Sequence, residues 1–245
     1  MLYDHCHHEN TLIRARALFF IIIAIGGVRF ADAQNVVSVE LINGTALILQ
    51  ASRFKCSQGD QAETITMPAI DYKGRSLAQA VASIKAQMGK SYLLADMDLR
   101  EWPGLEAPIR RPKRRATYHH CILMLHRFVD IMLQKIESIP DHPCKGRTFE
   151  KCTMHSLRAW LTTVARQVKF PDREVDELLH WNMKQMQRLY HRGRSGEELG
   201  QRVQIVRLLC HPTWYSVGDI GRLSQPPPDL SALPLLPNEN ITFRF

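Results

Sequence analysis

Hydrophobic positions divide the chain into a helical beginning, a short β-rich stretch and a longer helical second half. Residues Ala17 to Val28 are apolar on every side, so they fit a helix buried all round; Thr11 supplies a cap and Gly26-Gly27 a stop near Ile25. A second short helix is expected from Arg29 to Val36. Three runs rich in β-branched and apolar residues follow, Val37 to Ile42, Thr45 to Phe54 and Glu63 to Met67, separated by Asn43-Gly44 and by Ser57 to Asp60. They predict a small three-stranded antiparallel sheet.

The period then returns to that of a helix. Leu77, Val81, Ile84 and Met88 share one face of a helix over Ser76 to Met88, and Thr117 to Ile136 repeats the pattern at greater length. The segment between them is less regular. Pro140 to Arg147 reads as a loop, and from Thr153 a helix places Leu157, Trp160, Leu161, Val164 and Val168 on its apolar side. Phe170-Pro171 breaks it; Asp172 caps a short helix with Val175, Leu178 and Leu179, and Met183, Met186 and Leu189 mark a last helix that carries Tyr190. The class is therefore α+β, a mostly helical domain with one small sheet. It spans residues 12–209, between an N-terminal tail (1–11) and a Pro-rich C-terminal tail (210–245) that contains Gln225 to Pro228.

The beginning also imitates a secretory signal, with Arg14 and Arg16, the apolar run, and Ala31-Asp32-Ala33 as a cleavage site. Arg29 interrupts the imitation, and the run falls short of the roughly 20 apolar residues a bilayer requires. A buried helix explains it better, so Asn43-Gly-Thr45 and Asn240-Ile-Thr242 are chance glycosylation sequons.

With 245 residues and 45% apolar content, the chain suffices for one substantial core. A net charge of +8 favours a polyanionic partner. Part of that charge is concentrated in Arg110, Arg111, Lys113, Arg114 and Arg115, a run that fits either a solvated loop or a DNA-backbone contact. Six cysteines without CxxC spacing favour a reducing compartment. The run His5-Cys6-His7-His8 lacks a second ligand cluster, so no metal site is expected there and a mobile terminus is.

The chemistry-bearing residues fall in a particular order. His155-Ser-Leu-Arg158 opens one helix, His180-Trp181 follows a short break, and Tyr190 closes the block; upstream, Gly26-Gly27-Val28-Arg29-Phe30-Ala31-Asp32 joins an apolar helix to the sheet, and Arg53-Phe54-Lys55 ends its second strand. This pattern resembles the catalytic domain of the tyrosine recombinases, the phage-integrase family of DNA strand-exchange enzymes. The likeness extends over about residues 12 to 209, with Asp32 where relatives more often carry Glu.

The resemblance implies a complete set of roles. Arg29 and Arg158 hold the nonbridging oxygens of the scissile phosphate through paired guanidinium donors and stabilise the charge that develops in the transition state. Tyr190 attacks phosphorus, leaving a 3′-phosphotyrosine. Lys55 protonates the departing 5′-oxygen, with Arg53 a neighbouring candidate for that position, and His155 moves the proton at the nucleophile. Trp181 donates its ring N–H to the phosphate; adjacent His180 is chemically apt, but spacing favours Trp181. Protein cations perform the chemistry, so neither a metal nor a nucleotide cofactor is required.

Double-stranded DNA is the implied partner and no membrane is involved. Relatives carry a separate helical clamp before this domain, and the short stretch preceding Arg29 predicts a catalytic domain without one, hence weak, salt-sensitive DNA binding. Residues Val203 to Leu209 match a segment that docks on a neighbouring protomer in relatives, implying a homotetramer on DNA. An intracellular location follows, in the nucleus of a eukaryote or the cytoplasm and nucleoid of a prokaryote. Three other readings are a DNA-binding relic of a mobile-element integrase without turnover, a type IB topoisomerase-like enzyme, and a secreted basic protein whose maturation would remove Arg29.

Overall fold

The computed structural model describes residues 1–42, 44, 46–51, 63–71, 73–88, 93–98, 104–142, 145–146, 152–167 and 241–244. Its elements in chain order are α1 (Leu2–His5), α2 (Thr11–Gly26), α3 (Phe30–Ala33), β1 (Val36–Ile42), β2 (Ala46–Ala51), β3 (Glu63–Pro68), α4 (Ala78–Met88), β4 (Ala95–Met97), β5 (Ile109–Arg115), α5 (Tyr118–Glu137), α6 (Met154–Gln167) and β6 (Ile241–Arg244). Helix and sheet are mixed in one α+β arrangement. The helices expected after Phe170 and residues 210–240 of the tail lie outside the described residues.

Helix α2 is the axis of the core. Every residue from Ala15 to Gly26 is buried, including Phe19, Phe20 and Ile21 to Ile23, because α1, α4 and α6 pack around it and its far end meets β3. The apolar run is thus a core helix, and among the described residues no helix is long and apolar enough to cross a membrane. Its cap is Asn10 and not Thr11: the Asn10 side chain accepts from the amides of Leu12 and Ile13. Asparagine is the better cap because its carbonyl reaches two of the amides that lack intrahelical partners.

The two arginines that imitated a signal sequence are structural. Arg14 donates to Ser83 Oγ at 2.8 Å and to the carbonyls of His8 and Glu9, fastening the approach to α2. Arg16 is 1% exposed, and its guanidinium donates to the carbonyls of Leu105 and Ala107. Burial pushes its pKa down to about 10.

Contrary to the expectation of a mobile terminus, the first residues are packed. Cys6 is fully buried and the His5 ring meets Phe128 edge-on at 5.1 Å. Arg75 joins Asp4 (2.9 Å) to the fully buried Asp71 (2.6 Å), and His7 Nε2 lies 3.3 Å from the same Asp71 carboxylate. Sequence reading missed this because the anchoring pair lies far along the chain. Among the described residues no group of three or more His, Cys, Asp or Glu is placed to hold a metal ion.

Strands β1, β2 and β3 form the antiparallel sheet that the sequence predicts, with Val39 opposite Leu49 opposite Ile65, and Leu41 opposite Leu47 opposite Met67. These buried rows fix the register, since a slip by one residue would turn them to solvent. Residues 241–244, within the stretch assigned to the C-terminal tail, add a fourth strand on β1, giving the order β3-β2-β1-β6. A second, two-stranded sheet of β4 and β5 occupies the segment that looked irregular. Pro112 and the dense charge hid β5, since both disfavour a strand interior.

Candidate functional site

The turn between α2 and α3 organises the site. Gly27 adopts the left-handed conformation (φ 63°, ψ 20°), which ends α2 at a residue without a Cβ. Gly26, just before it, sits so close to β3 that an added Cβ would lie 3.1 Å from the Ile65 side chain. Arg29 then begins α3 as its N-cap residue in extended backbone, its carbonyl accepting from the amides of Asp32 and Ala33, each at 3.0 Å. The Arg29 side chain is half-buried, and Asp32 is 3% exposed one turn later.

Helix α6 brings the second arginine to this turn. Thr153 and Ser156 form a reciprocal cap: the Ser156 amide donates to Thr153 Oγ1 (3.2 Å) and the Thr153 amide to Ser156 Oγ (3.1 Å). Ser156 therefore has a local task inside the His155-Ser-Leu-Arg158 motif, one that the sequence reading left unassigned. His126 Nε2 donates to the Cys152 carbonyl at 3.0 Å and fixes the entry to the helix. Met154, Leu161, Val164 and Ala165 are buried, and α6 packs along α2. Arg158 is consequently half-buried, and its Nε donates to the Gly27 carbonyl at 2.7 Å.

That bond spans 131 residues of sequence and joins the two halves of the predicted constellation. His155 stands exposed on the first turn of α6. Thus Arg29 and Arg158 belong to a single neighbourhood, with His155 one helical turn before Arg158. Lys55, its alternative Arg53, Trp181, its rival His180, and Tyr190 lie outside the described residues. Lys55 and Arg53 fall in the connection between β2 and β3.

The basic run lies in β5, where Arg110, Arg114 and Arg115 are exposed; Arg111 and Lys113 occupy the same strand. Its far end is tied to the Arg29 segment. Gln34 Nε2 donates to the Ala116 carbonyl at 3.0 Å, and Arg115 Nη1 reaches Asn35 Oδ1 at 3.5 Å. Phe30, the residue after Arg29, meets Tyr118 edge-on at 5.2 Å and Phe19 at 6.0 Å. These links fix the first turn of α5 beside α3.

No protein-family model, curated protein or solved structure matches the chain. Arg158 is held by its Nε at the carbonyl of the turn that leads into Arg29, and a guanidinium is a group that can present paired donors to an oxyanion. Such an arrangement suits a phosphate.

Proposed function

We propose that the protein cleaves and rejoins DNA strands through a 3′-phosphotyrosine intermediate, as the catalytic domain of a tyrosine recombinase or integrase. The observation that carries this reading is the bond from Arg158 to the Gly27 carbonyl, which brings the His155-x-x-Arg158 helix to the turn bearing Arg29. The antiparallel sheet after that turn, with Lys55 between its second and third strands in sequence, also supports it. So does the +8 charge.

In the reaction, Arg29 and Arg158 bind the nonbridging oxygens of one phosphodiester and offset the charge that grows on them as phosphorus becomes five-coordinate. Tyr190 Oη attacks in line and its proton passes to His155. The bond to the 5′-oxygen breaks, and that oxygen takes a proton from Lys55, leaving a free 5′-hydroxyl. The DNA 3′-phosphate is then esterified to Tyr190. A 5′-hydroxyl from another strand reverses the steps, so the phosphoester bond is conserved and no external energy source is consumed. Trp181 donates a further hydrogen bond to the phosphate. A homotetramer on double-stranded DNA would supply paired strands for exchange.

A nicked suicide duplex with a randomised core tests the reading, because the released fragment diffuses away and traps the covalent product. A protein-DNA adduct that disappears in Tyr190→Phe is expected. Salt-dependent DNA binding without any adduct would instead favour a non-catalytic DNA-binding relic, and relaxation of supercoiled plasmid without site preference would favour a topoisomerase.

A further inference from the structure

Strand β5 does not run evenly against β4. The register passes from Ala95 opposite Arg115 to Asp96 opposite Arg111, so residues 112–114 are extra on the β5 side. A bulge of this kind relieves Pro112 of a ladder hydrogen bond it cannot make and bends the strand. Arg114, within the bulge, and Arg115, just past it, are both exposed.

The surface continues into α5. Tyr118 is 48% exposed, a large fraction for a ring whose edge rests on Phe30. Asp96, the carboxylate within the hairpin, is 7% exposed and held by His120 Nδ1 at 2.6 Å, so it adds little negative charge at the surface. Asp32 is likewise buried. Arg114, Arg115 and Tyr118 are thus exposed close together in sequence where β5 passes into α5, a cationic ledge with one aromatic ring whose Arg115 to Tyr118 part is attached to the Arg29 segment through Phe30, Gln34 and Asn35.

The geometry points to this ledge as the seat for the duplex backbone flanking the phosphate held at Arg29 and Arg158. The location of that phosphate rests on the function proposed above; the binding of DNA by the ledge is measurable without turnover. Phosphate contacts by Arg114 and Arg115 release counterions, and Tyr118 presents a hydroxyl and an apolar ring to the sugar-phosphate chain. The competing explanation is that arginine and proline guard an edge strand against pairing with another chain.

The test measures anisotropy of a fluorescein-labelled, mixed-sequence duplex against the full chain over a salt series. Removing both guanidiniums (Arg114→Gln with Arg115→Gln) is expected to lower the salt slope by about two, at roughly 0.9 per lost phosphate contact, and to raise Kd at low salt by more than about tenfold. Tyr118→Ala raises Kd severalfold with the slope unchanged. Tyr118→Phe keeps the ring on Phe30 and safeguards against misfolding of the alanine variant, so any loss there reports the hydroxyl. Lys135→Gln, an exposed charge at the far end of α5, leaves both quantities as in the wild type.

An arginine double variant with wild-type Kd and slope overturns the proposal. So does an equal loss in Lys135→Gln, or self-association of the arginine variant with DNA binding intact, which would assign β5 to edge protection. If the wild type forms no covalent adduct while the ledge variants still bind weakly, the ledge stands and strand exchange falls. Adduct formation with wild-type binding in the ledge variants gives the reverse.

Discussion

Replacing Gly27 with alanine tests the turn on which the site is built. At φ 63° and ψ 20° a Cβ crowds the following carbonyl, at a cost of about 1–2 kcal/mol. Alanine also restricts the unfolded chain, which returns roughly 0.4–1 kcal/mol, so the net loss should be about 1 kcal/mol. In a chain of this size that corresponds to a fall in Tm of about 2–4 °C, readable by urea unfolding or calorimetry. Gly27→Asn should lose less, because asparagine tolerates the left-handed region. Gly26→Ala should stay within about 0.5 kcal/mol of the wild type, since the gain in helix propensity offsets the crowding against Ile65 at 3.1 Å. The Gly27 carbonyl accepts from Arg158, so under the proposed function Gly27→Ala should also slow adduct formation by more than about tenfold, as small displacements of a positioning group do. Equal stability of Gly27→Ala and the wild type, or greater harm from Gly26→Ala, would refute this account of the turn.

Other consequences are equally open to measurement. Arg16→Met leaves the buried carbonyls of Leu105 and Ala107 without their donor and should cost about 2–6 kcal/mol in urea unfolding, from about 1–3 kcal/mol per unsatisfied group. His5 and His7 have pKa values lowered chiefly by burial, so the native state resists protonating them more than the unfolded chain does. Stability should therefore hold above pH 6.5 and decline as the pH falls below it, and His7→Gln should flatten that decline in thermal melts. Arg158→Lys retains charge but loses the planar fork, so adduct formation should fall by on the order of a hundredfold, and loss of the Nε donor to the Gly27 carbonyl should lower Tm by about 2–4 °C.

Hydrophobic period made α2, the three-stranded sheet, α4, α5 and α6 legible in the sequence, because each buries a continuous face. Ends were less legible: Asn10 and Thr11 are both good caps, and only the path of the chain before the helix selects Asn10. The β4–β5 hairpin escaped because charge and Pro112 mask a strand whose ladder is interrupted by a bulge and which α4 adjoins. The packed terminus escaped for another reason, since Asp71 and Arg75 act on it from a distant turn. Of the candidate site, the motif order named Arg29 and Arg158, whereas the bond of Arg158 runs to the main-chain carbonyl of Gly27, in the turn before Arg29, and has no signature in residue types. The same holds for Ser156, whose capping role depends on Thr153 rather than on the catalytic pattern.

The claim that Arg29 and Arg158 serve one phosphate is tested most directly by a double-mutant cycle in the rate of adduct formation on the suicide duplex. Each single substitution, Arg29→Lys or Arg158→Lys, should slow the rate by on the order of a hundredfold. The double variant should be little slower than the worse single one, because groups acting as a unit are strongly non-additive. Losses that multiply independently, a wild-type rate in either single variant, or no adduct from the wild-type protein would contradict the account.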